Sequence, residues 1–272
     1  MKIFLAGATG AIGKRLVPLL LEAGFQVFGP TRSPSRAEGL RAAGVEPVVV
    51  DVFDRASLLR VAVAARPDVV MQQLTDLPPG LDAGQMVEGT RRNARVRSEG
   101  TQNLVAAALE AGVLRFIAQS IAWMYAPGPE LHAEEDALDI NAQGTRAITV
   151  TGVVALERLV LASPPIGGII LRYGHLYGPG TGTDAPGEPP SLYVDAAAAA
   201  SLLATEEGRT GIYNIAEPNS YISTEKARSE LGFDAAYRFG TSGLKRGQRS
   251  LPGRAKFEAG MRDDHSGEAG CS

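Results

Sequence analysis

The chain has 272 residues, 44% of them hydrophobic, and a net charge of −3 with acids and bases interspersed along its length. That length suffices to bury a full core, and the charge balance leaves no electrostatic footprint for nucleic acid. No apolar run is long enough to cross a bilayer, and the single cysteine, Cys271, rules out a disulfide or a thiolate metal site within one chain, so a cytoplasmic location is expected.

The first thirteen residues, MKIFLAGATGAIG, organise the rest of the chain. Lys2 to Ala6 reads as a short buried strand. Gly7, Gly10 and Gly13 come next at three-residue spacing, and a helical pattern then places Ile12, Leu16, Leu19 and Leu20 on one side. Strand, glycine turn and helix in this order form a dinucleotide cradle. Gly7 permits the tight turn, Gly10 lets the backbone approach a pyrophosphate, and Gly13 lets helix and strand pack closely. Thr9, Ala11 and Ile12 complete the turn, whose free N–H groups face the anion. The competing reading is a glycine-rich turn without a ligand.

Phe25 to Phe28 reads as the second strand, followed by Pro30-Thr31-Arg32-Ser33 with Arg36 nearby and no acid among them. An acid at this place would accept from the ribose of NAD, whereas a guanidinium suits the 2′-phosphate of NADP. Arg32 therefore points to NADP(H), with NAD as the alternative and a solvated surface arginine as the reading without function. A short helix over 37–43 leads to a third strand, Val45 to Val50, with Asp51 and Val52 directly after it. Asp54 N-caps a helix running to Ala65. Asp68 to Leu74 is the fourth strand and ends in Gln72-Gln73-Leu74. Leu77 to Gly89, with its prolines and glycines, reads as a loop, and Arg91 to Gly112 as a long helix whose arginines 91, 92, 95 and 97 are expected to be solvated, with neutralisation of a phosphorylated substrate as the alternative.

Arg115 to Ser120 is the fifth strand. Ser120 to Tyr125 lies at its carboxyl end, where open parallel sheets hold their ligands. Thr151 to Ser163 is a helix, and Ile169 to Leu171 a sixth strand running into Arg172-Tyr-Gly-His-Leu-Tyr-Gly-Pro-Gly180. Gly211 to Ala216 is a late strand, and Ser223 to Phe233 a last helix. From Ala235 the periodicity fades, so residues 235–272 read as a loose tail.

These segments resemble one family. The GxxGxxG spacing, the stretch Glu99-Gly-Thr-Gln-Asn-Leu-Val-Ala-Ala-Ala108, the LRYGHLYGPG run, Tyr193-Val-Asp-Ala-Ala197, Gly211-Ile-Tyr-Asn-Ile-Ala216 and the Ser223–Phe233 helix together resemble the extended short-chain dehydrogenases, the NAD-dependent epimerase/dehydratase family. The resemblance implies an α/β fold, a Rossmann-type doubly wound parallel sheet over residues 1–178. A small C-terminal substrate lobe over 179–234, abridged in two places, would interleave with late sheet elements. It implies an NAD(P)-dependent oxidoreductase, or a protein like a nucleotide-sugar epimerase or dehydratase, acting on a carbonyl or sugar. It further places Asp51 and Val52 beside the adenine, Gln73 and Leu74 along the ribose and phosphates, and Tyr173 with Gly174 and His175 near the nicotinamide. A homodimer through the helices at 91–112 and 151–163 is the family's habit.

The chain also departs from the family. Counting back from Glu157, the Tyr and Lys of the usual proton-relay pair fall at Thr149 and Val153, and none of the seven tyrosines has a lysine four residues on. The usual catalytic hydroxyl, four residues before Tyr125, falls at Ile121. Ser120, Tyr125 and His175 remain as candidate groups at the reacting end. Their competing readings are a strand-end hydroxyl, an aromatic wall and a structural histidine. A cofactor-binding sensor with little turnover is the second reading of the whole chain.

Overall fold

The computed structural model describes residues 1–128 and 131–240. The chain alternates strand and helix through β1 (Lys2–Ala6), α1 (Ala11–Glu22), β2 (Gln26–Thr31), α2 (Pro34–Ala42), β3 (Glu46–Val49), α3 (Arg55–Ala65) and β4 (Val69–Gln72). It continues with α4 (Met86–Arg95), α5 (Thr101–Glu110), β5 (Arg115–Ile121), α6 (Gly144–Leu161), β6 (Gly167–Tyr173), β7 (His175–Tyr177), β8 (Ser191–Tyr193), α7 (Val194–Leu203) and β9 (Gly211–Ile215). Seven strands form a parallel sheet in the order β3-β2-β1-β4-β5-β6-β9, and β7 pairs with β8 in a separate two-stranded ribbon. The strand order reverses between β1 and β4, which opens a crevice at the carboxyl ends of these two strands.

The elements follow from their residues. β1 sits at the centre of the sheet because four of its five residues are apolar and buried. Ser33 caps α2 through the Arg36 N–H, with Pro34 as the first helical residue, so this helix starts three residues earlier than the apolar pattern suggests. Asp54 caps α3 as expected, accepting from the Ser57 N–H at 3.1 Å. One face of the sheet is covered by α3, α5 and α6 around Phe4, Leu58, Leu104, Phe116, Leu156 and Ile170. Each of these large side chains contributes about 1.5–3 kcal/mol by leaving water. On the other face α1 packs against α7, tied by the Arg15–Asp195 ion pair.

Three segments differ from the sequence reading. The stretch 77–89 is not all loop: two short 3₁₀ turns, Pro79–Leu81 and Ala83–Gln85, lead into α4 at Met86. α4 and α5 are joined through a π-helical turn, Val96–Gly100, without a break. This extra residue per turn rotates the helix, and Arg97, expected in solvent, is only 6% exposed. The last helix is shorter than expected, helical over 225–231 with a π turn at Ala227–Leu231, and is closed by Gly232 in the left-handed region.

Within 179–234, β9 returns to the main sheet beside β6. Residues 235–240, read from sequence as the start of a loose tail, are tied down. The Phe239 N–H donates to Asp195 at 2.8 Å, and Arg238 pairs with Glu217 at 3.0 Å. The remainder of the tail, 241–272, with Cys271, lies outside the described residues. Among the described residues no helix is long and apolar enough to cross a membrane.

Candidate active site

The glycine turn sits at the point where the strand order reverses. Gly7 has φ +101°, and a β-carbon there would collide with the Gln73 carbonyl at the end of β4. At Gly13 a β-carbon would collide with the Gly7 carbonyl and lie 2.6 Å from the Ala8 carbonyl carbon. These two glycines let α1, β1 and β4 close on one another. Gly10 differs: the nearest atom to its missing β-carbon is the Gly7 oxygen at 3.3 Å. It is also the N-cap of α1, with no side-chain cap and no acid in the first turn. The first N–H groups of α1, those of Ala11, Ile12 and Gly13, are thus offered to an outside acceptor. This is the cradle a pyrophosphate requires.

On the far side of the crevice lies a cavity of about 320 Å³ lined by Arg32, Asp51, Phe53, Asp76, Arg92 and Arg95. The Asp51 carboxylate accepts from the Phe53 N–H at 3.0 Å, and Asn103 on α5 donates to the Val52 carbonyl at 2.9 Å, which fixes the end of β3. Arg95 lies 4.0 Å over the Phe53 ring and pairs with Glu99, while Arg92 lies 3.6 Å from Asp76. Arg32, exposed at the end of β2, has no ion-pair partner among the described residues.

Gln73, 4% exposed, donates to the Ser201 hydroxyl at 3.3 Å, and its Oε1 is buried without a partner. Leu74 beside it is half-buried. The Tyr173 phenol shares a hydrogen bond with the same Ser201 at 2.7 Å and turns into the core between β6 and α7. Burial raises its pKa well above the ordinary phenol value.

At the ends of β5 and β6 the three candidate reacting groups separate. Ser120 is fully buried and donates to Glu157 at 2.7 Å. Glu157, on α6, is also held by Arg172 through two bonds of 2.9 and 2.7 Å. Arg172 then donates to the Tyr125 hydroxyl at 2.8 Å, and that hydroxyl donates to Asn214 at 2.7 Å. Burial works against the charge on Arg172, yet the bonds and charge of Glu157 outweigh it and hold the guanidinium above its ordinary pKa. Tyr125 is 1% exposed and stacks on His132, and burial raises its pKa. Arg97 adds a second buried cation, lowered to about 10 by desolvation against the field of Glu157. Ser120 and Tyr125 therefore meet in one buried network, whose further members Glu157, Arg172, Asn214 and Arg97 were not placed at the site from sequence. The one signal for them is charge inside apolar surroundings: Arg172 follows the run Gly-Ile-Ile-Leu, and Glu157 follows Val-Val-Ala-Leu.

His175 stands apart from that network. It is half-buried and stacked on Trp123 at 3.8 Å between ring centroids, with planes 18° apart. Desolvation lowers its pKa, opposed by the charge of Glu188, so burial disfavours the charged ring. Trp123 is backed by Ile121, Met124, Val150 and Val153. Val153 is wholly buried in this apolar cluster, and the Thr149 hydroxyl bonds back to the Thr145 carbonyl. Val153 and Thr149, where counting back from Glu157 puts the relay pair, thus offer no acid.

The family model for the NAD-dependent epimerase/dehydratase family matches residues 3–200. The chain belongs to this family. It is similar to a 3-diazoavenalumate denitrifying reductase from a Streptomyces species, at 39% identity over 238 residues covering 80% of this chain and 76% of that one. Among solved structures it is similar to a UDP-glucose 4-epimerase from Thermotoga maritima bound to UDP-glucose, with a TM-score of 0.69, 20% identity, and 88% and 94% of the two chains covered. A UDP-glucose 4-epimerase from Thermus thermophilus bound to NAD gives a TM-score of 0.68 at 20% identity, covering 88% and 95%. These structures share the fold, a mostly parallel seven-stranded sheet flanked by helices. Membership and the reductase relative make this chain an NAD(P)-dependent oxidoreductase or epimerase-like protein that takes a nicotinamide dinucleotide.

Proposed function

We propose that this protein is an NAD(P)H-dependent reductase of a diazo-bearing electrophile, and that it prefers NADP(H). The observation that carries the reading is the pairing of an intact dinucleotide cradle with Thr149 and Val153 where the relay pair would stand. Reducing a ketone puts negative charge on oxygen, and an acid must supply a proton there. When bound, the reduced dinucleotide supplies one hydride, and an arenediazonium that accepts it leaves as arene and dinitrogen, two electrons passing to the substrate and no proton being consumed. A site without a proton relay suits that reaction. The denitrifying reductase relative, whose name specifies a diazo substrate, supports the same reading.

Each group then has a role within this chain. Gly7, Thr9 and Gly10 shape the turn, the Gly10 N–H bonding back to the Gly7 carbonyl at 2.9 Å, and Ala11, Ile12 and Gly13 hold the pyrophosphate on backbone N–H groups. Arg32 binds the 2′-phosphate, Asp51 and Val52 border the adenine, and Leu74 borders the ribose. The unpartnered Gln73 Oε1 accepts from the dinucleotide side. Tyr173 acts through Ser201, setting the position of Gln73. Ser120 and Tyr125 stiffen the ends of β5 and β6 through Glu157, Arg172 and Asn214, and exchange no proton with the substrate. Burial of His175 disfavours a positive charge at the reacting end, which would repel a diazonium cation.

The test mixes the protein with NADPH and an arenediazonium, with heat-denatured protein as control. Loss of diazo absorbance and of NADPH in equal amounts is expected, and a deuterium placed at the transferring position of the nicotinamide should appear on the ring. Turnover of ketones or UDP-sugars without diazonium reduction would overturn the proposal. Replacing Arg32 by Glu should reverse the preference toward NAD(H), with a charge-assisted phosphate contact worth about 1.5–3 kcal/mol, or roughly 10- to 150-fold in NADPH affinity.

A further inference from the structure

We infer that Trp123 and His175 form a stacking platform for the planar aromatic ring of the substrate. Trp123 follows β5 and His175 begins β7 directly after β6, and β5 and β6 are adjacent in the sheet. Both rings therefore stand beyond the carboxyl ends of neighbouring parallel strands, where ligands of such sheets bind. Each is only half-buried. A tryptophan gains most from full burial, and partial exposure at this place leaves π surface to be covered by something else. The pair is held from behind: the Trp123 carbonyl accepts from Arg146 at 3.0 Å, and the His175 N–H donates to the Pro190 carbonyl at 2.7 Å. Val153 lies in the apolar cluster that backs the indole, so the position of the missing relay lysine has become part of an apolar wall. A flat, conjugated ring matches such a wall better than a sugar, which needs hydrogen-bond partners for every hydroxyl it buries. Glu188 is the charged group whose field His175 feels, and its sign favours a cationic ring substituent. The inference rests on the reductase reading for its substrate class and extends it by naming the surface that receives the ring.

Trp123 is the only tryptophan in the chain, so its fluorescence reports on this platform alone. The probe is 4-hydroxybenzonitrile, an unreactive neutral isostere of an arenediazonium, and cyclohexanecarbonitrile is the non-aromatic control. With NADP⁺ saturating, the aromatic nitrile should quench the indole saturably and the alicyclic one should not. Calorimetry on Trp123→Leu and Trp123→Phe should give a loss of about tenfold in aromatic nitrile affinity for Leu and little for Phe, a stacked pair being worth roughly that factor. Affinity for NADP⁺ should stay unchanged in both. In turnover, Trp123→Leu should raise KM with kcat little altered. Equal quenching by both nitriles, unchanged affinity in Trp123→Leu, or a nicotinamide that takes the indole and abolishes the nitrile response would each overturn the platform. Aromatic binding with no diazonium reduction would instead overturn the reductase reading and leave the platform standing.

Discussion

Replacing Arg172 by Met tests whether the buried network is structural. The side chains of Arg172 and Glu157 are 3% and 7% exposed and meet through two short bonds. Removing the cation from such a pair leaves a carboxylate in apolar surroundings and costs between about 3 and 5 kcal/mol. Two features place the loss at the lower end. The Ser120 hydroxyl still donates to Glu157, and the field of Arg97 still reaches it. The expected loss is therefore about 3 kcal/mol, read as a fall in the urea midpoint at constant slope. Replacing both partners, Arg172→Met with Glu157→Leu, removes the stranded carboxylate, but Ser120 loses its acceptor, Tyr125 loses a donor and the buried Arg97 loses the field of Glu157. The double variant should lose less than the single one, by about 1–2 kcal/mol, which is a coupling of the sign that a buried ion pair produces. A single-variant loss below about 1 kcal/mol, or a double variant that loses the sum of both singles, would refute the reasoning.

Other outcomes rest on the same geometry. Gly13→Ala should lose about 2–3 kcal/mol in denaturant unfolding, because its β-carbon meets backbone that cannot yield. Gly10→Ala should lose about 1 kcal/mol or less yet weaken dinucleotide binding in calorimetry, since its open side faces the cradle. Tyr125→Phe and Ser120→Ala should each keep diazonium turnover within about tenfold of the parent, whereas a loss of about a hundredfold would restore them as proton donors. Burial lowers the pKa of His175 from its ordinary 6.5, so on acidification the unfolded chain takes up the proton first. Relative to His175→Asn, the parent should lose stability as pH falls through 6.5 and level off below the folded pKa, as urea midpoints at stepped pH would record.

The glycine turn and the strand–helix alternation were legible from residue order, because each depends on neighbours within one or two turns of chain. Gly7 and Gly13 announce a close approach of backbones, and the structure places that approach against Gln73 and Ala8.

The fate of the hydroxyls could not be read that way. Ser120 and Glu157 are 37 positions apart, and Tyr125 and Asn214 are 89 apart. A hydroxyl at a strand end looks alike in sequence whether it faces a substrate or a buried carboxylate. The choice rests on which helix the sheet packs against it. Arg97 was misplaced for a related reason: helical counting puts it with its solvated neighbours, and a π turn rotates it inward against α6. The Trp123–His175 stack likewise exists only because β5 and β6 lie side by side. Spacing along the chain specifies local turns and helix faces, whereas the partners of a buried charge or an aromatic ring are assigned by packing between elements distant in sequence.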